Sequence, residues 1–339
     1  MGHGGNIYRF AQHLGCLPEQ VLDFSANINP EQAVDLDCLQ QVQVAPYADP
    51  DYSALKQALK TRYPQPVGVE IEVFNGDSAA IFAILRYLQP NDLVLYTPLY
   101  GEYAQIAGHL GCTLHNINRF GSVTAAVPKN STVIFVNPAT PDGRLYEMQA
   151  LLTQWQATDC TIIVNESFLD FCVMDSVAEH ITHYDRLYVI KSLSKFYGCA
   201  GIRIGFILAA AQAIKALIRF EPTWKLSSLD MAYMRQALAN MAFIERTRQQ
   251  TAYRRDLLGQ ALQASGLFEQ IYPGQANFLL AKLVNDGDGY QLQARLAASR
   301  LLVRVCDNFT GLDKSHVRFA VKDESAIAQL ASCLREIHW

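Results

Sequence analysis

Between residues 70 and 210 the chain returns repeatedly to short, unbroken apolar runs: "IEVFNG", "DLVLYTP", "STVIFVN", "TIIVN", "LYVIKSL" and "IGFILA". A strand with one face in water alternates apolar and polar residues, whereas a strand buried on both faces reads as a continuous run. Stretches with helical spacing, such as "SAAIFAILRYL" and "EMQALLTQWQA", fall between the runs. Runs and helices in alternation predict an α/β fold whose sheet is mainly parallel. In such sheets ligands gather at the carboxyl ends of the strands, so chemistry is expected in the turns that follow the runs.

From about Ser228 to Ser265 the pattern is helical almost throughout, as one long helix or two joined ones. The strand-like "FLLAKLV", "LLVRV" and "HVRFAV" and a closing helix "ESAIAQLASCLREI" then predict a smaller α+β unit behind the main one. No repeat or linker interrupts the 339 residues, half of which are hydrophobic, enough for one large or two intimately packed domains. A formal net charge of −4 supplies no basic field for nucleic acid or a membrane surface. No apolar stretch reaches the roughly 18 residues of a membrane helix; "GFILAAAQAIKALI" is broken by Gln212 and Lys215. The opening "MGHGGNIYRF" lacks a signal-peptide pattern, and Asn6 stands where a myristoylation signal wants Ser or Thr. Eight cysteines scattered singly read as reduced thiols, which points to a cytoplasmic protein.

The densest polar cluster is "VIKSLSKFYGCAGIRIGF", Val189 to Phe206. Lys191 or Lys195 alone reads as a solvated strand cap. The company changes that reading, because Ser192, Ser194, Gly198, Gly201 and Arg203 follow closely. Small residues let backbone approach an anion, hydroxyls donate to it, and arginine clamps phosphate with paired hydrogen bonds. An enclosed lysine beside such a site can attack a carbonyl to form a Schiff base. The turn "FNGDSAAIF" puts Gly76, Asp77 and Ser78 between a strand and a helix, either as a plain N-cap or as free amides for a phosphate. Arg304 and Arg318 each lie inside an apolar strand that offers no acid of its own, so a bound carboxylate or phosphate, or a distant acid, must balance them. His180 and His183 supply at most half a metal site and read as surface residues; no metal is expected.

Together these residues resemble the fold-type-I enzymes dependent on pyridoxal phosphate, and within them the threonine-phosphate decarboxylase branch, near the histidinol-phosphate aminotransferases. The resemblance runs in order through "HGGNIYRFAQHLG", "LDFSANINP", "PYADPDYSAL", "FNGDSAAIF", "TPLYGEY", "NPATPDG", "NESFLDF", "SLSKFYGCAGIRIGF", "YPGQANFLL" and "LLVRVCDNFTGLDKSHVRFAV". It implies an N-terminal arm over residues 1–30, a large cofactor-binding domain over 31–235 and a small domain over 236–339. It also implies that Lys195, not Lys191, holds the cofactor and moves protons. Ser192, Arg203 and the amides of Gly76, Asp77 and Ser78 would hold the cofactor phosphate. Tyr100 would stack on the ring, and Tyr47 would enter from the partner subunit of a homodimer. His3, Gly4, Asn27, Thr140, Arg304 and Arg318 would bind substrate, with Arg318 on the carboxylate and His3 with Arg304 near the phosphate. The implied reaction is decarboxylation of O-phospho-L-threonine to aminopropanol phosphate for the cobalamin side arm.

Two positions depart from the family pattern. Thr140 stands where an asparagine normally contacts the phenolic oxygen of the cofactor, and Asn165 where an aspartate normally pairs with the pyridine nitrogen. Phe168 is no departure, since the decarboxylase branch carries it too. The departures keep two alternatives in play: an aminotransferase of histidinol-phosphate type, or a weakly active or non-catalytic paralogue.

Overall fold

The structure, a computed structural model, describes residues 4–337, apart from the side chain of Cys38. The chain begins α1 (Ile7–Leu14), β1 (Leu22–Asp23), α2 (Ser53–Arg62), β2 (Val69–Phe74), α3 (Gly76–Leu88), β3 (Asp92–Thr97), α4 (Glu102–Leu110) and β4 (Thr113–Asn118). It continues β5 (Thr132–Val136), α5 (Gln149–Ala157), β6 (Thr161–Asn165), β7 (Leu187–Ser192), β8 (Gly205–Ala210), α6 (Ala211–Ile218), α7 (Ser228–Ala239) and α8 (Met241–Ala264). Last come β9 (Phe268–Ile271), β10 (Phe278–Leu283), α9 (Gly289–Ala297), β11 (Leu301–Leu302), β12 (Arg304–Val305), β13 (His316–Ala320) and α10 (Glu324–Arg335).

The six apolar runs form six strands of a seven-stranded sheet ordered β2-β8-β7-β6-β5-β3-β4. Their unbroken hydrophobicity has the expected cause, burial on both faces. Val94, Val133, Ile162 and Val164 pack into one layer of core, while Leu93, Leu95, Ile134 and Ile163 pack into the other. The seventh strand, β4, gave no such run because it lies at the edge, half or fully exposed along its length. Pairing is parallel except at β8, which runs antiparallel to both β2 and β7. That reversal brings the segment between β7 and β8 back across the carboxyl edge of the sheet.

The long helical stretch is two helices. Asn240 separates them, its Oδ1 accepting from the amide of Phe243 and its Nδ2 donating to the Ala33 carbonyl. An asparagine that caps the second helix and ties the junction to a distant loop stops the first helix where it stands. A four-stranded antiparallel sheet, β12-β13-β10-β9, follows. The early segment 22–24 is threaded beside it: β1 pairs in parallel with β11, and Ala320 donates to the Phe24 carbonyl. Phe24 is wholly buried among Leu279, Val303 and Phe319. Residues 25–27 therefore leave the small sheet directly toward the carboxyl edge of the large one.

Candidate active site

A cavity of about 540 Å³ opens where the two sheets meet, lined by Gly4, Asn27, Asp77, Ser78, Tyr100, Thr140, Asn165, Lys195, Arg203, Arg304 and Arg318 among others. Most come from turns or strand ends that the topology delivers to this edge. Asn165 ends β6, and Lys195 follows the end of β7. Gly76, Asp77 and Ser78 open α3 just after β2, while Tyr100 follows β3.

The first turn of α3 is built for an anion. Asn75 makes no side-chain cap, so its first amides keep their capacity for another acceptor. Gly76 has φ of +80°, and a Cβ there would lie 2.4 Å from Nη2 of Arg203. Only glycine lets the guanidinium come so close to these amides. Arg203 is steadied by donation to the Ala200 carbonyl at 3.1 Å and to Ser194 Oγ at 3.4 Å. Ser192 accepts at 3.1 Å from Nζ of Lys195, which also donates to Oδ2 of Asp77 at 2.8 Å. Lys191 points elsewhere: it forms a buried ion pair with Glu166 at 2.7 Å.

The opposite end is neutral. Asn165 accepts from the Ser167 amide at 2.9 Å and donates through Nδ2 to the Tyr103 hydroxyl at 2.8 Å. Burial pushes the Tyr103 hydroxyl well above its ordinary range, so it remains a neutral phenol. The far wall carries two arginines placed directly opposite each other, Arg304 on β12 and Arg318 on β13. Arg318 donates to Thr140 Oγ1 at 3.3 Å and to the Ser25 carbonyl at 2.9 Å, while its Nε has no partner. Among the described residues no carboxylate forms an ion pair with it. Burial, with Arg304 beside it, pulls its guanidinium down to about 10. Arg304 itself donates to Asn308. Asn27 presents a buried Oδ1 without a partner.

Tyr47 is the residue expected to enter from a partner subunit. Tyr47 is 80% exposed and stacks on Trp224 of its own chain, outside the cavity. His3 lies outside the described residues. Its neighbour Gly4 packs so closely on Ser25 that a Cβ would meet the Ser25 carbonyl at 2.3 Å. His180 is on the short helical turn Val177–Thr182, where it faces Glu179. Ser167, Tyr103, Ser25 and the side chain of Asp77 escaped the sequence reading. "NESF" offered Ser167 as a signal, but nothing local marked the other three.

This architecture, with a mainly parallel large sheet, a small antiparallel sheet and a cavity between them, is that of the fold-type-I enzymes dependent on pyridoxal phosphate. The model for aminotransferase class I and II matches residues 4–334, and the chain belongs to that family. It is 29% identical to threonine-phosphate decarboxylase of Salmonella typhimurium over 99% of this chain and 96% of that protein. It is 28% identical to histidinol-phosphate aminotransferase of Caldanaerobacter subterraneus subsp. tengcongensis over 95% of this chain and 90% of that protein. Histidinol-phosphate aminotransferase from Sinorhizobium meliloti, solved in complex with pyridoxal-5'-phosphate, superposes with a TM-score of 0.84 at 19% identity, covering 98% of this chain and 94% of that one. The protein is thus an enzyme of the pyridoxal-phosphate class. Uncapped amides beside Arg203 and Ser192 fit the cofactor's phosphate, and Lys195 fits its aldehyde, whereas Asn165 brings no carboxylate to its ring nitrogen. No helix among the described residues is long and apolar enough to cross a membrane.

Proposed function

We propose that this enzyme removes the carboxylate of O-phospho-L-threonine to give (R)-1-aminopropan-2-yl phosphate for the cobalamin side arm. The observation that carries the reading is the cross-strand pair Arg304 and Arg318. Like charges set directly opposite on a sheet destabilise it, and a buried guanidinium without an acid is costly. An anionic ligand relieves the repulsion between the two and gives Arg318 the acid it lacks, and a phosphorylated amino acid brings both a carboxylate and a phosphate. Full-length similarity to a threonine-phosphate decarboxylase supports the same substrate.

Bound pyridoxal phosphate supplies an electron sink for bond breaking at the α-carbon. The protein's task is then orientation. Arg318, steadied by Thr140 and the Ser25 carbonyl, would hold the carboxylate so that the bond to be broken stands across the ring plane. Arg304, with His3 and Gly4 from the N-terminal arm, would take the substrate phosphate and lend remote binding energy to that alignment. Asn27 would accept through its partnerless Oδ1. Ser192, Arg203 and the amides of Gly76, Asp77 and Ser78 would anchor the cofactor phosphate, Tyr100 would cover the ring, and Lys195 would bond the cofactor and carry protons at Nζ. We assign residues 1–30 to the arm, 31–235 to the large domain and 236–339 to the small one. The exposed Tyr47 and Trp224 support a homodimer in which Tyr47 enters the partner's cavity, in the cytoplasm.

Incubation of the loaded enzyme with phosphothreonine is expected to release carbon dioxide and the phosphorylated amine. A second reading, an aminotransferase of histidinol-phosphate type, rests on the similarity to that enzyme. It predicts a keto product and an aminated cofactor with no carbon dioxide, and that result would replace the first reading.

A further inference from the structure

A carboxylate in the cavity has no task so far. Asp77 was expected to contribute a plain helix cap or a backbone amide, yet its side chain turns inward to Lys195. Its Oδ2 lies 2.8 Å from Nζ of Lys195 and 3.3 Å from Oγ of Ser167. Both members of the pair are largely enclosed, Asp77 with 13% and Lys195 with 21% of the side chain exposed. We propose that Asp77 is the positioning residue that governs the proton on Lys195, delaying covalent capture of the cofactor and ensuring that the lysine, once released, returns as a proton donor. This rests on the assignment of Lys195 made above.

The chemistry follows from the contact. An ion pair exists only while Lys195 carries its proton, so bonding to an aldehyde must first break it. Nζ passes its proton to Asp77, and its lone pair attacks the aldehyde carbon. The carbonyl oxygen then leaves as water, and the nitrogen of the new carbon–nitrogen double bond recovers the proton. No other reactant is needed. When substrate later frees Lys195, the pair re-forms and the ammonium stands ready to protonate carbon.

Groups on every side bear on this pair. Arg203 reaches it from the turn before β8, Ser192 from the end of β7 and Ser167 from the turn after β6. Tyr100 and Tyr103 approach from the turn after β3 and from α4, and the Phe168 ring lies 5.4 Å from Nζ. Burial raises the Asp77 carboxyl, but Lys195, Arg203 and the Ser167 hydroxyl together hold it below its ordinary 3.8. Asp77 is therefore charged above that value and gives up its half of the pair only as the pH falls through the lowered one.

The test uses full-length protein freed of cofactor and mixed with pyridoxal, which has the aldehyde but no phosphate. The visible band of the bound aldehyde is followed across neutral and alkaline pH. In Asp77→Asn the pH of half-maximal capture is expected to fall by about one unit or more, which raises capture at neutral pH about tenfold. Turnover of phosphothreonine by the same variant, loaded with cofactor, is expected to fall. Asp77→Ala should show the same opposed changes, and Asp77→Glu should restore both. Superimposable capture profiles would overturn the proposal, as would capture and turnover falling together, the mark of a merely damaged site. Lys195→Ala separates the two levels: capture that survives it overturns the lysine assignment itself, whereas capture lost there but unmoved in Asp77→Asn and Asp77→Ala overturns only the role of Asp77.

Discussion

Two ends of one cavity differ in how they carry charge. Near α3, Lys195, Asp77, Arg203 and Ser192 bring three charged groups and a hydroxyl together, each held by at least one neighbour. At the end of β6, Asn165 offers a neutral amide fixed between Ser167 and Tyr103. The first end is over-determined for an anion, since several donors would have to change before one ceased to be held beside Lys195. The second depends on one side chain held in a frame that an isosteric carboxylate would also fit. On the proposed assignment, binding of the cofactor and its electronic tuning are thus separable.

Asn165→Asp is the sharpest way to break that contrast. One oxygen of the new carboxylate would accept from the Ser167 amide, the other from the Tyr103 hydroxyl turned to donate. A charge pair at about 4 Å is worth roughly 4 kcal/mol at an effective dielectric near 20. If that is realised in the transition state, decarboxylation speeds up by as much as about three powers of ten, with cofactor affinity little changed. An unchanged rate would show that this enzyme does not draw on a protonated ring.

Arg318→Leu comes next and probes the wall opposite both ends. Truncating one partner of a buried charge pair costs about 2 to 5 kcal/mol, so kcat/KM for phosphothreonine should drop at least about thirtyfold. Thermal stability should hold or rise, because a guanidinium with no acid beside it has been removed. In the unsubstituted enzyme, binding of a carboxylate ligand should weaken as the pH climbs past about 10, where burial places the loss of the Arg318 proton. Calorimetry across that range checks the sign. The smallest effect is expected of Thr140→Val, which removes a single 3.3 Å hydrogen bond to Arg318. About 1 kcal/mol, or roughly fivefold, should appear in the binding of carboxylate substrates and leave binding of inorganic phosphate untouched.

Much of the large sheet was legible because its strands are buried on both faces, which leaves a mark in every residue. The edge strands β4 and β9 left none, since solvent tolerates almost any side chain there. In the cavity, Lys195 and Arg203 could be read together because one turn holds them both. The pairing of Asp77 with Lys195 could not, for it depends on how α3 registers against the end of β7, a contact between residues 118 apart. The break at Asn240 was equally hidden, as an asparagine inside a helical pattern gives no sign of the distant carbonyl it will bind.

The threading of residues 22–24 beside the small sheet has a consequence for how the protein is made. During synthesis this segment emerges before the large sheet, but its partner β11 and the Ala320 amide emerge only after it. The large sheet can close first, with Lys195, Ser192, Arg203 and the first turn of α3 in place, while the carbonyls of Ser25 and Asn27 still lack Arg318 and Asn277. The wall that carries Arg304 and Arg318 is therefore the last part of the cavity to be assembled, and on the proposed assignment a nascent chain gains its anion cradle before it gains selectivity.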